Sequence, residues 1–231
     1  MSYLDYISDN DLKAAVKKVI DCVRAKETEA KNDLYKNVVD PFSAIFDGVI
    51  NGLSLDDWLE KEKTRQTQKS VQNKIGEFHE NVLSSVSGWK KVPKGVDIRS
   101  MERKIIAEIK NKHNTVKGSD KVGIYDFLEA KLNEPQYQGF TAYYVEIIPS
   151  SSQSYDIPFI PSDRSSGQRR DPNQQIRKIS GQAFYTLVTR NEHALQMLFQ
   201  VLPDVISEVA GVNKFNEHQK NGFLRLFNRA Y

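Results

Sequence analysis

The chain has 231 residues, of which 39% are hydrophobic and 27% charged, an ordinary balance for a globular protein able to bury a good core. Net charge is only +3, from 33 Lys plus Arg against 30 Asp plus Glu, so no nucleic-acid-coating or disordered polyelectrolyte is implied. One cysteine, Cys22, excludes an intramolecular disulfide and a cysteine-cluster metal site. No run of about 18 apolar residues can serve as a membrane helix, and "MSYLDYISDNDLKAAV" has neither the basic nor the apolar region of a signal peptide. The charge is unevenly spread: acidic residues are dense before residue 65, and basic ones gather in 89–121 and 164–178. No internal repeat is visible.

In chain order, the first third reads as helix. Ser8 and Asp11 form a capping pair ahead of Leu12, Val16, Val19, Ile20 and Val23 at helical spacing. Asp40-Pro41 opens a short helix closed near Gly52. Ser54 caps a longer segment, continuous or broken, to Val86, with Val71, Ile75, Phe78, Val82 and Val86 on one stripe. At Gly88 the pattern turns to short β-prone pieces, and Lys104–Lys110 is the clearest strand. A helix with Ser119 as its N-cap follows, then a second strand over Phe140–Pro149. Residues 150–176 are polar around one apolar island, and a segment of that length is either functional or disordered. The stretch "GQAFYTLVTRNEHALQMLFQVLPDVISEVAG" predicts two amphipathic helices parted near Pro203. The order of helices, strands and helices predicts an α/β (α+β) fold with a mixed central sheet. Residues 1–87 are expected to form a helical region packed on a core of 88–231.

One strand carries an anomaly. In Ile105-Ile106-Ala107-Glu108-Ile109-Lys110, alternation puts Ile105, Ala107 and Ile109 on one face and Ile106, Glu108 and Lys110 on the other. Glu108 and Lys110 then stand roughly 7 Å apart along the strand. Burying either charge unpaired is costly. Asp97 would join them if its segment pairs with this strand. Two hard oxygen donors and a cation suit Mg²⁺ and phosphodiester hydrolysis. The competing reading is an edge-strand ion pair, because acidic-x-Lys triplets recur at Asp11, Glu29, Glu102 and Glu129.

Asp97, ten residues, then Glu108-Ile109-Lys110 resembles the metal-binding motif of the PD-(D/E)xK nuclease superfamily. "NKHNT" and "SGQAFYTLVT" look like a branch of type II restriction endonucleases cutting GGNCC or GGWCC sites, over roughly residues 70 to 205. Val96 stands where the motif has proline. The resemblance implies a restriction-endonuclease-like core and catalysis by Asp97, Glu108 and Lys110. Asp97 and Glu108 would hold Mg²⁺, with Mn²⁺ as a substitute. It further implies double-stranded DNA as substrate, a homodimer, a cognate DNA methyltransferase and a prokaryotic cytoplasm. Such nucleases often add an acidic residue from a preceding helix, here Glu77 in preference to Glu80. Lys112, His113, Asn114, Arg164, Arg169 and Arg170 are the candidates for DNA contact, arginine being suited to guanine. Two alternatives are another nuclease of the superfamily and a non-catalytic nucleic-acid-binding module.

Overall fold

A six-stranded mixed sheet holds the apolar segments of the second half of the chain, with helices on both faces. The computed structural model describes residues 2–32, 39–163 and 167–231. The strands are β1 (Lys90–Lys91), β2 (Ile98–Ser100), β3 (Ile105–Lys112), β4 (Thr141–Ile148), β5 (Asp156–Pro158) and β8 (Ile176–Ser180). Their order is β1-β2-β3-β4-β8-β5, with β3, β4 and β8 parallel and the remaining pairs antiparallel. Between β3 and β4 the chain crosses over through α4 (Gly118–Leu132), as a parallel pairing requires. A separate hairpin joins β6 (Ser162–Asp163) to β7 (Gln168–Arg169).

The alternation read in β3 is realised. Ile105, Ala107 and Ile109 enter a cluster with Phe78, Val82 and Leu198, while Ile106 packs opposite with Tyr125, Leu128 and Tyr144. Both faces are covered, which explains why β3 and β4 are apolar on both sides. Register then decides where the polar residues fall. On the α4 side the rows run Ile106, Ala142, Ile176, then Glu108, Tyr144, Lys178, then Lys110, Glu146, Ser180. The sheet is greasy where the parallel strands begin and polar where they end.

The helices begin where side chains can take up their free N–H groups. Ser8 Oγ accepts from Asp11 N–H ahead of α1 (Asp9–Asn32). Asp40 caps α2 (Pro41–Asn51), closed by Gly52 at φ 62°, and Ser54 caps α3 (Leu55–Ser84), which runs without a break. Two expectations are corrected. Ser119 is not an N-cap: α4 starts at Gly118 with Lys117 at the cap position and no side-chain bond there. Pro203 does not part the last helices, because it lies inside α6 (Ala194–Ala210), where buried Leu195, Leu198 and Val205 hold the helix across it. The break falls instead at Arg190, φ 62°, after α5 (Gly181–Thr189). Among the described residues, the sequence pattern did not show β8, the short strands β5, β6 and β7, or α7 (Glu217–Ala230) with its Asn216–Gln219 capping box.

Gly181 opens α5 directly against β4. A Cβ there would sit 2.2 Å from the Ile147 carbonyl oxygen and 2.8 Å from its Cα, both backbone atoms that cannot swing aside. Gly181→Ala should therefore lower stability by about 1–3 kcal/mol or more, read as a fall in urea midpoint with unchanged slope. A midpoint equal to wild type would contradict this packing.

Candidate active site

The site grows from a parting of strands. Ile98 pairs with Ala107, and Asp97 N–H still donates to the Ala107 carbonyl at 3.0 Å. One step further the ladder ends, and Ile109 N–H, facing β2, needs an acceptor. Asp97 supplies it through its side chain: Oδ2 accepts from Ile109 N–H at 2.6 Å. The carboxylate is thereby fixed beside β3, next to Glu108.

Glu108 and Lys110 share the α4-side face, joined by a 2.7 Å ion pair in which Glu108 is 15% and Lys110 29% exposed. Asp97 makes no such pair among the described residues. Burial, reinforced by the Glu108 charge, pushes its carboxyl up to about 7. Burial works against the Lys110 ammonium, but Glu108, Asp97 and Glu80 outweigh it and hold the group above its ordinary value. Two carboxylates thus share one ammonium, a deficit of positive charge that a divalent cation would relieve. Among the described residues no three His, Cys, Asp or Glu side chains gather as a ready-made metal cluster, and Asp97 and Glu108 are the pair here that could hold a cation.

On α3, Glu77 is paired with Lys74, which holds its carboxyl below the usual range. Glu80 sits with Lys91 at 2.8 Å, and it is the Glu80 charge that bears on both Asp97 and Lys110. Sequence reasoning missed Glu146 altogether. It lies beside Lys110 on β4, 1% exposed, with Lys121 at 2.9 Å, Lys178 at 3.8 Å and the Tyr155 hydroxyl donating to Oε2. The signal was present as a lone carboxylate in "YYVEII", a strand otherwise without charge.

The remaining candidates scatter. Lys112 ends β3, His113 N–H donates to the Ile148 carbonyl at 3.0 Å, and Asn114 is exposed just beyond. Arg169 is exposed on the β6–β7 hairpin. Arg170 is held by both oxygens of Asp126, at 2.9 and 2.8 Å. Arg164 lies outside the described residues.

The folded chain keeps the Asp97 proton up to about pH 7, whereas an unfolded aspartate releases it near 4. Across that window the folded state binds more protons, so this group's contribution to stability is lost as pH rises. Asp97→Asn retains an acceptor for Ile109 N–H without the charge. In EDTA at pH 8 it should be more stable than wild type by roughly 1–3 kcal/mol, after allowance for solvent screening, and match it near pH 4. Equal melting temperatures at pH 8 would contradict the charge deficit.

Sequence comparisons identify the family. The chain is 38% identical over 239 residues to the type II restriction enzyme Eco47II of Escherichia coli, covering 100% of both chains. It is 29% identical over 242 residues to the type II restriction enzyme Sau96I of Staphylococcus aureus, covering 99% of this chain and 89% of that one. A profile of the Eco47II restriction endonuclease family matches residues 4–211. The chain therefore belongs to the Eco47II restriction endonuclease family, a family of site-specific deoxyribonucleases.

Proposed function

We propose that this family member hydrolyses both strands of duplex DNA at a short palindrome of the GGNCC kind, with Mg²⁺, as a homodimer. The observation that carries the reading is the convergence of Asp97, Glu108 and Lys110 where β2 leaves β3. Asp97 and Glu108 would hold the Mg²⁺, which supplies an acidified water and neutralises charge on the reacting phosphate. Mn²⁺, of the same oxygen preference, would substitute.

The chain's own residues orient and balance. Glu108 holds the Lys110 ammonium on the substrate side of the sheet, where it can donate hydrogen bonds to a phosphate oxygen as negative charge grows. Ile109 N–H keeps the Asp97 carboxylate from turning away. Glu80, nearer in charge to the site than Glu77, adds to the negative potential that favours a cation. Glu146 steadies Lys121 and Lys178, two mostly buried cations at the polar end of the same face, each about a quarter exposed (24% and 26%) and suited to backbone phosphates. Arg169, exposed on its hairpin, is the better placed of the two described candidate arginines to read a base edge. Arg170 is engaged by Asp126. Lys112, His113 and Asn114 follow Lys110 at the end of β3, within reach of a duplex bound at the site. A prokaryotic cytoplasm with a methyltransferase protecting the same site is the setting such an enzyme requires.

Two tests follow. In single-turnover cleavage with Mg²⁺, Glu108→Ala and Lys110→Ala should each lose at least about 1000-fold with an unchanged circular dichroism spectrum, and EDTA should abolish cutting. Glu108→Ala cutting within tenfold of wild type would overturn the assignment. In Ca²⁺, Arg169→Ala should weaken binding to the cognate duplex by about 1–3 kcal/mol and leave a scrambled duplex unaffected. Equal losses on both duplexes would make Arg169 a phosphate contact.

A further inference from the structure

Among the described residues, helix α2 has no core to belong to. Phe42, Ile45, Phe46, Val49 and Ile50 are 61–75% exposed, Leu55 at the start of α3 is 65% exposed, and no α2 residue is buried. Asp47 is the helix's only charge. Its ends are nonetheless firmly specified: Asp40 accepts from Phe42 and Ser43 N–H, Pro41 occupies the first turn, and Gly52 closes the helix in the left-handed region. A helix of 11 residues is marginal in water on caps alone and needs an apolar face to pack against. Among the described residues it packs against α3.

The same residues border a concavity. Between α2 and the first turns of α3 lies a groove of about 670 Å³, lined by Ala44, Gly48 and Trp58 and by Ile45, Val49 and Leu55 of the exposed apolar face. One apolar patch can meet its own copy across a two-fold axis, since each copy presents the same surface to the other. The exposed parts of the six large side chains amount to roughly 700 Å² of apolar surface, above the roughly 300–600 Å² of a typical monomer's largest patch. That is close to the roughly 800 Å² per partner of a standard stable interface, and its depletion in charge is the mark of an interface centre.

We propose that α2 and the first turns of α3 form the two-fold interface of this protein with a second copy of itself. The proposal rests on the reading of a symmetric enzyme acting on a palindrome, and it gives that symmetry a surface.

Sedimentation velocity on the full chain tests it, at micromolar concentration and tenfold above. Wild type should be a dimer. Phe46→Glu, 68% exposed and outside the core, should raise the dissociation constant at least 100-fold with unchanged helicity. Phe223→Glu, an exposed aromatic on α7, should stay dimeric. A monomeric wild type overturns the proposal. So does a dimeric Phe46→Glu, and in that case the nuclease reading still stands. Conversely, a dimer broken by Phe46→Glu in a protein that cuts no DNA supports the interface and removes the nuclease reading.

Discussion

The hydrogen bond from Ile109 N–H to the Asp97 carboxylate joins the fold to the chemistry. It sits where the β2–β3 ladder runs out and a backbone donor would be left without a partner. Filling that vacancy with a side chain has two effects. The strand pair can end without an orphaned amide, and a carboxylate is held beside Glu108 although like charges repel. The cost appears in Asp97 itself, whose proton is retained to about pH 7. A divalent cation held between Asp97 and Glu108 would relieve that charge deficit.

The rest of the sheet sets that point in place. Parallel pairing of β3, β4 and β8 puts Glu108, Tyr144 and Lys178 in one row and Lys110, Glu146 and Ser180 in the next, so the polar groups collect toward the ends of three strands. Such ends are where open α/β sheets hold ligands. Below them Ile106, Ala142 and Ile176 are sealed by Tyr125 and Leu128 of α4. Behind them α1, α3, α5 and α6 fill the opposite face, and Gly181 allows α5 to lie directly against the Ile147 backbone. Glu108 and Lys110 are carried on β3 and Asp97 stands just before β2, and the exposed apolar hairpin of α2 lies outside this scaffold.

The sequence made some of this legible and hid the rest for physical reasons. β3 and β4 are strongly patterned because each is buried on both faces, and α2 announces itself through Asp40, Pro41 and Gly52. Asp97, Glu108 and Lys110 could be singled out because charges in an apolar strand need a reason. Their adjacency depended on β2 pairing with β3, which local pattern cannot show. β8 was missed because "IRKIS" puts two cations on a short central strand, with Lys178 near Glu146 and Arg177 bonded to Asp156. Glu146 was missed for the complementary reason: its three partners come from residues 121, 155 and 178, distant in sequence. Pro203 misled because proline ordinarily ends a helix, and here the buried residues on either side of it prevail.

The central claim is that Asp97, Glu108 and Lys110 cut DNA at one short sequence. Mapping the fragment ends of a fully sequenced plasmid, digested with Mg²⁺ by wild type and by Glu108→Ala, tests it most directly. The account predicts a single set of ends at one palindrome for wild type and intact plasmid for the variant. Heterogeneous ends from wild type, or the same ends from Glu108→Ala, would contradict it.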